Sequence, residues 1–232
     1  MLQTKLDSTE ATRMVTDRLR GPTRKIFQKY VPGRSFADIG CMWNCHGAYA
    51  YYAELIGART PILAFDGLEA TEQFHAYHEA LESRIQFKQG DILELDPEID
   101  GTYDVVFCSG VLYHMPDPMK MLDRVTSIAR KTLILGTHTV AGDEPLLRFY
   151  PHDPRPEPFP WEMVHGASME SRYSLDYKDY APWWVGPTES AVEQMLRCFR
   201  FVVTETERFT LEFVPGHALN PQISTFVAHR LD

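Results

Sequence analysis

Between residues 35 and 136, five short apolar runs alternate with longer stretches of helical period. The runs are SFADI (35–39), PILAFD (61–66), RIQFK (84–88), YDVVFC (103–108) and KTLILG (131–136). Helical patterns fill 47–57, 68–83 and 118–130. Nearly continuous apolar strands separated by helices must be buried on both faces. That demands parallel strands joined by crossover helices. The expected fold is therefore α/β, a doubly wound, mostly parallel sheet.

The flanks complete the layout. Residues 8–31 read as helices broken at Gly21-Pro22, with Pro22 suited to a first helical turn. Residues 1–33 then form an N-terminal helical cover and 34–140 a cofactor-binding core. Residues 141–187 carry seven prolines between Pro145 and Pro182 and read as an inserted cap. In 188–232 a helix over 187–198 precedes strands near 200–207, 209–214 and 223–229, which close the sheet antiparallel, making one domain of about seven strands.

Composition narrows the classes. At 232 residues and 44% hydrophobic, the chain can bury a full core, yet no apolar run approaches the roughly 20 residues of a membrane span. The N-terminus lacks the apolar core of a signal peptide, so a cytoplasmic protein is expected. Cys41, Cys45, Cys108 and Cys198 form no disulfide framework. The net charge of −9 disfavours nucleic acid. The one basic concentration, Arg13, Arg18, Arg20, Arg24, Lys25 and Lys29, reads as a solvated helix face.

Four segments carry chemistry. The first strand leads into DIGCMWNCHG (38–47), a strand–turn–helix junction of the kind that holds nucleotides. Gly40 permits the turn. A pyrophosphate cradle needs further glycines, and Met42 and Trp43 stand where backbone would approach phosphate. The loop suits a smaller cofactor without phosphates, with Asn44 supplying left-handed geometry. A plain strand-to-helix turn is the alternative. Second, Asp66 ends the second strand, 19 residues after Gly47, where a carboxylate can accept both ribose hydroxyls; alternatively it caps a helix from Leu68. Third, in QGDILELD, Asp91 can meet an adenine amino group and Ile92 can pack on the ring, unless Asp91 is only a turn residue. Fourth, the strand YDVVFC runs into SGVLYHMPDP, through Ser109, Tyr113 and His114.

These four segments resemble the class I S-adenosylmethionine-dependent methyltransferases. The similarity rests on the order acidic-x-glycine loop, strand-end acid, GD after the third strand, and VLYHMPDP, and covers about residues 34–139. Within that superfamily the chain is similar to the branch of the bacterial tRNA wobble-uridine carboxymethyltransferases, through GVLYH and an aromatic segment before a helix, APWWVGPTESAVEQMLRCFRF. The loop departs from the family's acidic-x-Gly-x-Gly-x-Gly, keeping only Asp38 and Gly40 in register, with Gly47 later. The resemblance implies a Rossmann-like methyltransferase fold and S-adenosylmethionine as cofactor. It implies Asp38, Gly40, Cys41, Asn44 and Gly47 about the amino-acid end, Asp66 and Gly67 at the ribose, and Asp91 and Ile92 at the adenine. Cys108, Ser109 and Tyr113 belong to the segment beside the methyl.

Methyl transfer to a hydroxyl or amine needs a base to take its proton. His114 is the first candidate and His138 the second, since imidazole titrates near neutrality; each can instead merely order its loop. A site of His138, Asp143 and Glu144 has only generic spacing, and no metal is expected. Cys41-x3-Cys45-His46 lacks the second half of a zinc site.

Phe149, Tyr150, Phe159, Trp161, Tyr173, Tyr177, Tyr180, Trp183 and Trp184 fall within 36 residues of the insert and can line a largely apolar pocket. The expected function is S-adenosylmethionine-dependent methyl transfer to oxygen or nitrogen of a small molecule: a sugar, lipid or natural-product intermediate. The alternatives are a tRNA uridine-modifying methyltransferase and a non-catalytic nucleoside-binding module. A nicotinamide oxidoreductase is less compatible with Met42 and Trp43. The sequence leaves the oligomeric state open, a homodimer included.

Overall fold

The structure is a computed structural model that describes residues 6–19, 21–149, 185–210 and 222–232. The five apolar runs become parallel strands: β1 (Phe36–Ile39), β2 (Ile62–Asp66), β3 (Gln86–Gln89), β4 (Tyr103–Ser109) and β5 (Ala129–Thr139). Leu147–Phe149 (β6) and Val185–Pro187 (β7) pair antiparallel as a separate ribbon. The ribbon joins the two ends of the proline-rich insert; residues 150–184, with eight of the nine aromatics named above, lie outside the described residues. Phe201–Thr210 (β8) and Gln222–Arg230 (β9) finish a seven-stranded sheet of order β3-β2-β1-β4-β5-β9-β8. β9 runs antiparallel to β5 and β8 to β9.

Expected and observed elements differ in detail. The two strands expected near 200–207 and 209–214 are one strand, β8, as far as Thr210, and 211–214 lie outside the described residues. The helix expected from 68 starts only at Glu72, because Thr71 is its cap, its hydroxyl accepting from the Phe74 amide at 3.1 Å. Nor is every strand apolar on both faces. β3 is a partly exposed edge, QFKQ.

Side-chain caps set five of the seven helix starts among the described residues. The helices are α1 (Ser8–Arg18), capped by Asp7; α2 (Gly21–Tyr30); α3 (Ala48–Leu55); α4 (Glu72–Ala80); α5 (Pro97–Asp100), capped by Asp96; α6 (Pro118–Ile128), capped by Asp117; and α7 (Glu189–Cys198), capped by Thr188. The short α5 was not among the expected helices, although Asp-Pro is a start signal.

Both faces of the sheet are covered. On one, α1 to α4 pack Ala11, Val15, Phe27, Tyr51 and Phe74 against Phe36, Ala64 and Phe107. Phe27 makes edge-on contacts with Phe36 (5.4 Å between ring centres) and Phe107 (4.9 Å). On the other, Met121, Leu122 and Val125 of α6 and Val192 and Leu196 of α7 meet Val106, Leu133, Leu135 and Phe226. Strand order reverses between β1 and β4, and a crevice beyond the carboxyl ends of strands forms at such a switch point.

Candidate functional site: the carboxyl ends of β1, β2, β4 and β5

The loop 40–47 closes on its own backbone. The Met42 carbonyl accepts from the amides of Cys45 (3.3 Å) and His46 (3.1 Å), and the Cys41 carbonyl from Gly47 (2.8 Å). Such a tight path needs left-handed residues. Gly40, Asn44, His46 and Gly47 have φ of 78°, 53°, 52° and 71°. Asn44 thus takes the geometry a glycine would otherwise supply, and His46, for which no such role was expected, does the same.

Two of these glycines also admit neighbours. A Cβ on Gly40 would lie 2.3 Å from Val111 Cγ2, and one on Gly47 2.6 Å from the Phe74 ring. The β1 loop and the β4 loop are therefore in direct contact at the switch point.

Asp38 does not end β1. It lies inside the strand, fully buried, and its Oδ2 accepts from the Ala50 amide in the first turn of α3 at 3.2 Å. Burial pushes its carboxyl well above the ordinary range, and the nearby Asp66 charge adds to that. It aligns α3 against the sheet.

Asp66 sits at the end of β2. Its Oδ2 accepts from the Met42 amide at 2.6 Å and its Oδ1 from the Leu68 amide at 2.8 Å. It is not the cap of α4, which Thr71 supplies. Burial raises its pKa, and the Leu68, Met42 and Gly67 amides pull it back in part. A carboxylate offers about four acceptor positions. The Met42 and Leu68 amides each take one position, one on each oxygen, and the carboxylate keeps acceptor capacity for a hydroxyl.

Met42 was expected to obstruct the loop with its side chain. Instead the side chain is buried in the core, and what Met42 presents is its amide, to Asp66. Trp43 remains partly exposed. Asp91 accepts from the Leu93 amide at 2.8 Å and so caps the short helical turn Ile92–Glu94, with Ile92 buried. The turn reading of Asp91 therefore holds, beside any contact with a base. Gly67 lies between β2 and the β3 loop, next to the Gly90 carbonyl.

At the end of β4, Cys108 is buried and Ser109 packs so tightly against β5 that a Cβ on Gly136 would lie 2.3 Å from its Oγ. Burial raises the thiol pKa of Cys41, Cys45 (to about 11) and Cys108, with Asp38 adding to each. These are neutral thiols at physiological pH, without nucleophilic character.

The structure brings the two histidines together around one ring. Tyr113 and His114 lie in the short turn Leu112–His114, with ring centres 4.3 Å apart. The Tyr113 ring meets His138 edge-on at 6.4 Å. His138 is buried near the end of β5, and its Nδ1 is 3.3 Å from the Gln222 carbonyl. That contact puts the proton on Nδ1 and the lone pair on Nε2. Burial lowers its pKa to about 4, with Arg148 adding to the effect and the Gln222 carbonyl opposing it. His138 is therefore neutral at pH 7. Asp143 and Glu144 are exposed, and no cluster of three metal-ligating side chains occurs among the described residues.

One supporting residue left no sequence signal. Arg18 of α1 donates to the Asn44 carbonyl at 2.7 Å, tying the N-terminal cover to the loop.

The residues fit S-adenosylmethionine. The side-chain-free turn at Gly40, the strand-end carboxylate of Asp66 and the apolar Ile92 form a row along the carboxyl ends of β1, β2 and β3, and none needs a phosphate. These residues would hold the cofactor, which would supply an electrophilic methyl on a sulfonium.

Comparison with known proteins agrees. A methyltransferase-domain family profile matches residues 52–132. The chain is 30% identical over 120 residues to a tRNA U34 carboxymethyltransferase of Campylobacter hominis, covering 50% of this chain and 40% of that protein. It is 35% identical over 119 residues to one of Alteromonas mediterranea, covering 48% and 35%. The chain thus spans about two fifths of the length of these curated relatives. Among solved structures, magnesium protoporphyrin IX methyltransferase from Synechocystis PCC 6803 with bound S-adenosylhomocysteine superposes with a TM-score of 0.59 over 97% of this chain and 83% of that one, at 17% identity. No described helix is long and apolar enough to cross a membrane. Together these matches support a class I S-adenosylmethionine-dependent methyltransferase, similar to the branch of the tRNA U34 carboxymethyltransferases.

Proposed function

We propose that the chain transfers the methyl group of S-adenosylmethionine to an oxygen or nitrogen of a small molecule. The observation that carries the substrate class is the local use of the N-terminal cations. Arg13 pairs with Glu10 and Asp17, Lys29 with Glu205, and Arg18 and Arg24 donate to the backbone carbonyls of Asn44 and Thr16. These cations are dispersed among local partners in a chain of net charge −9, a poor match to a phosphate backbone, on which RNA affinity leans. The match to the curated relatives also covers under half of their length.

In this reading Asp66 and the loop 40–47 orient the cofactor. The methyl acceptor sits against Tyr113, and His114 or His138 takes its proton. A neutral imidazole with pKa about 4 is ready to accept at pH 7, though its low basicity suits an acceptor whose proton is lost late in the reaction. If His138 is the base, the rate is flat from pH 8 to 6 and falls about tenfold per pH unit below about 4. A His138→Ala variant that keeps the cofactor affinity loses at least about 100-fold in turnover, and His114→Ala tests the other histidine in the same assay.

The second reading, tRNA modification, is favoured by what the two curated relatives are named for. Incubating the protein with methyl-labelled cofactor, a panel of hydroxylated and amino metabolites, and bulk tRNA separates the two. Label in the low-molecular-weight fraction supports the proposal. Label only in tRNA overturns it.

A further inference from the structure

At the opposite, amino-terminal edge of the sheet lies a second constellation of charge. A cavity of about 480 Å³ is lined by Arg130, Lys131, Arg200, His229, Arg230 and Asp232. Three separate stretches build it: the start of β5, the turn after α7, and the end of β9. Four permanent cations thus converge in a chain whose net charge is −9. Facing them are Asp232 and the buried Asp104, which is 3.2 Å from Arg130 and 3.8 Å from Lys131.

The cations are held in place. The Arg230 guanidinium donates to the carbonyls of Thr126 (2.6 Å) and Ala129 (2.9 and 3.1 Å) and lies 4.8 Å over the Phe201 ring. Arg200 donates to the Asp232 carbonyl at 2.5 Å, and its own carbonyl accepts from Leu231. Arg200 also has a φ of 64°, directly after the C-terminal end of α7. Helices commonly place glycine there, because a Cβ costs conformational energy. The chain spends that energy and keeps a guanidinium at the rim. His229, whose Nδ1 lies 3.2 Å from the Thr132 hydroxyl, adds a polar wall.

We propose that this cavity is a binding site for a small anion carrying one or two phosphate groups. Arg230 spends three of its five N–H donors on carbonyls and keeps the others, and cations fixed beforehand lower the ordering cost of binding an anion. The volume suits a small ligand. The site lies at the end of the sheet away from Gly40, Asp66 and Ser109, so it does not rest on the methyl-transfer proposal.

Thermal unfolding of the full chain in rising inorganic phosphate or pyrophosphate, against sodium chloride of equal ionic strength, tests it. The expected result is a saturable rise, about 4 °C at ten times the Kd. Arg200→Gly relieves the backbone, so its baseline Tm holds or rises while the anion-induced shift disappears. Lys131→Ala reduces the shift, and both variants bind S-adenosylhomocysteine as the parent does. No saturable shift beyond chloride, or equal shifts in both variants, overturns the proposal. A shift with a short single-stranded oligonucleotide but with neither phosphate overturns it too, in favour of a polynucleotide surface.

Discussion

At Gly40 two constraints meet in one residue. The backbone stands at φ 78°, and the place of a Cβ is taken by Val111 from the β4 loop. Gly40→Ala therefore adds left-handed strain of about 1–2 kcal/mol and an overpacking cost of about 1–3 kcal/mol. Urea unfolding should show a loss of about 2–4 kcal/mol. Val111→Ala in the same chain should recover the steric part and not the strain, which a double-mutant cycle separates. The glycine was legible in the sequence as a turn. Its contact with Val111 was not, because the partner is 71 residues away and only the sheet order brings it near. Asp66 teaches the same point from the other side. Its position at a strand end was readable, but whether it capped a helix or held the loop depended on where α4 begins, and Thr71 decided that.

The cofactor loop and α1 behave as one element. Arg18 reaches from the last turn of α1 to the Asn44 carbonyl, while Val15 and Ala11 bury the helix against the core. Arg18→Ala should leave α1 docked through those apolar contacts and loosen only the loop. A charged hydrogen bond with an exposed side chain is worth about 1 kcal/mol here. Amide exchange at Cys45, His46 and Gly47 should quicken about fivefold, with the protection of β1 and β4 unchanged. Equal quickening in the strands would mean that Arg18 supports the whole fold. The longer helices themselves were readable from their period. Their boundaries were readable less well, as at α4, where Leu68 to Ala70 carry apolar residues that pack on the core without joining the helix. Periodicity reports burial, and a buried loop segment has the same signature as a helical one.

For the molecule as a whole, the buried Asp104 ties the amino-terminal ends of β1, β4 and β5. It accepts from the Ser35 amide (3.2 Å) and hydroxyl (3.1 Å) and pairs with Arg59 (3.1 Å) and Arg130 (3.2 Å). Burial alone would raise its pKa, but these partners outweigh it and hold the carboxyl at about 2. A folded pKa below the unfolded one means that the folded state binds fewer protons. The stability so gained is present above about pH 4 and is lost as pH falls toward 2. Over that interval it amounts to about 2 kcal/mol. The unfolding free energy of the parent should therefore drop more steeply between pH 4 and 2 than that of Asp104→Asn, which should start lower at pH 7. Parallel curves would remove Asp104 from the acid response.

What the sequence determined by itself follows from local rules. Apolar runs of strand length between helical stretches have only a doubly wound sheet in which to bury both faces, so the architecture and the order of the cofactor segments could be read directly. What the tertiary structure alone decided is every relation between distant segments. Asp38 turned out to support α3 from inside its strand, Met42 to offer an amide instead of an obstructing side chain, and Tyr113 to stand between His114 and His138. Arg130, Arg200 and Arg230, up to 100 residues apart, came to share one cavity. Each depends on strand register and on the direction of a side chain across the sheet, which a one-residue shift would invert. Local propensity carries no record of either.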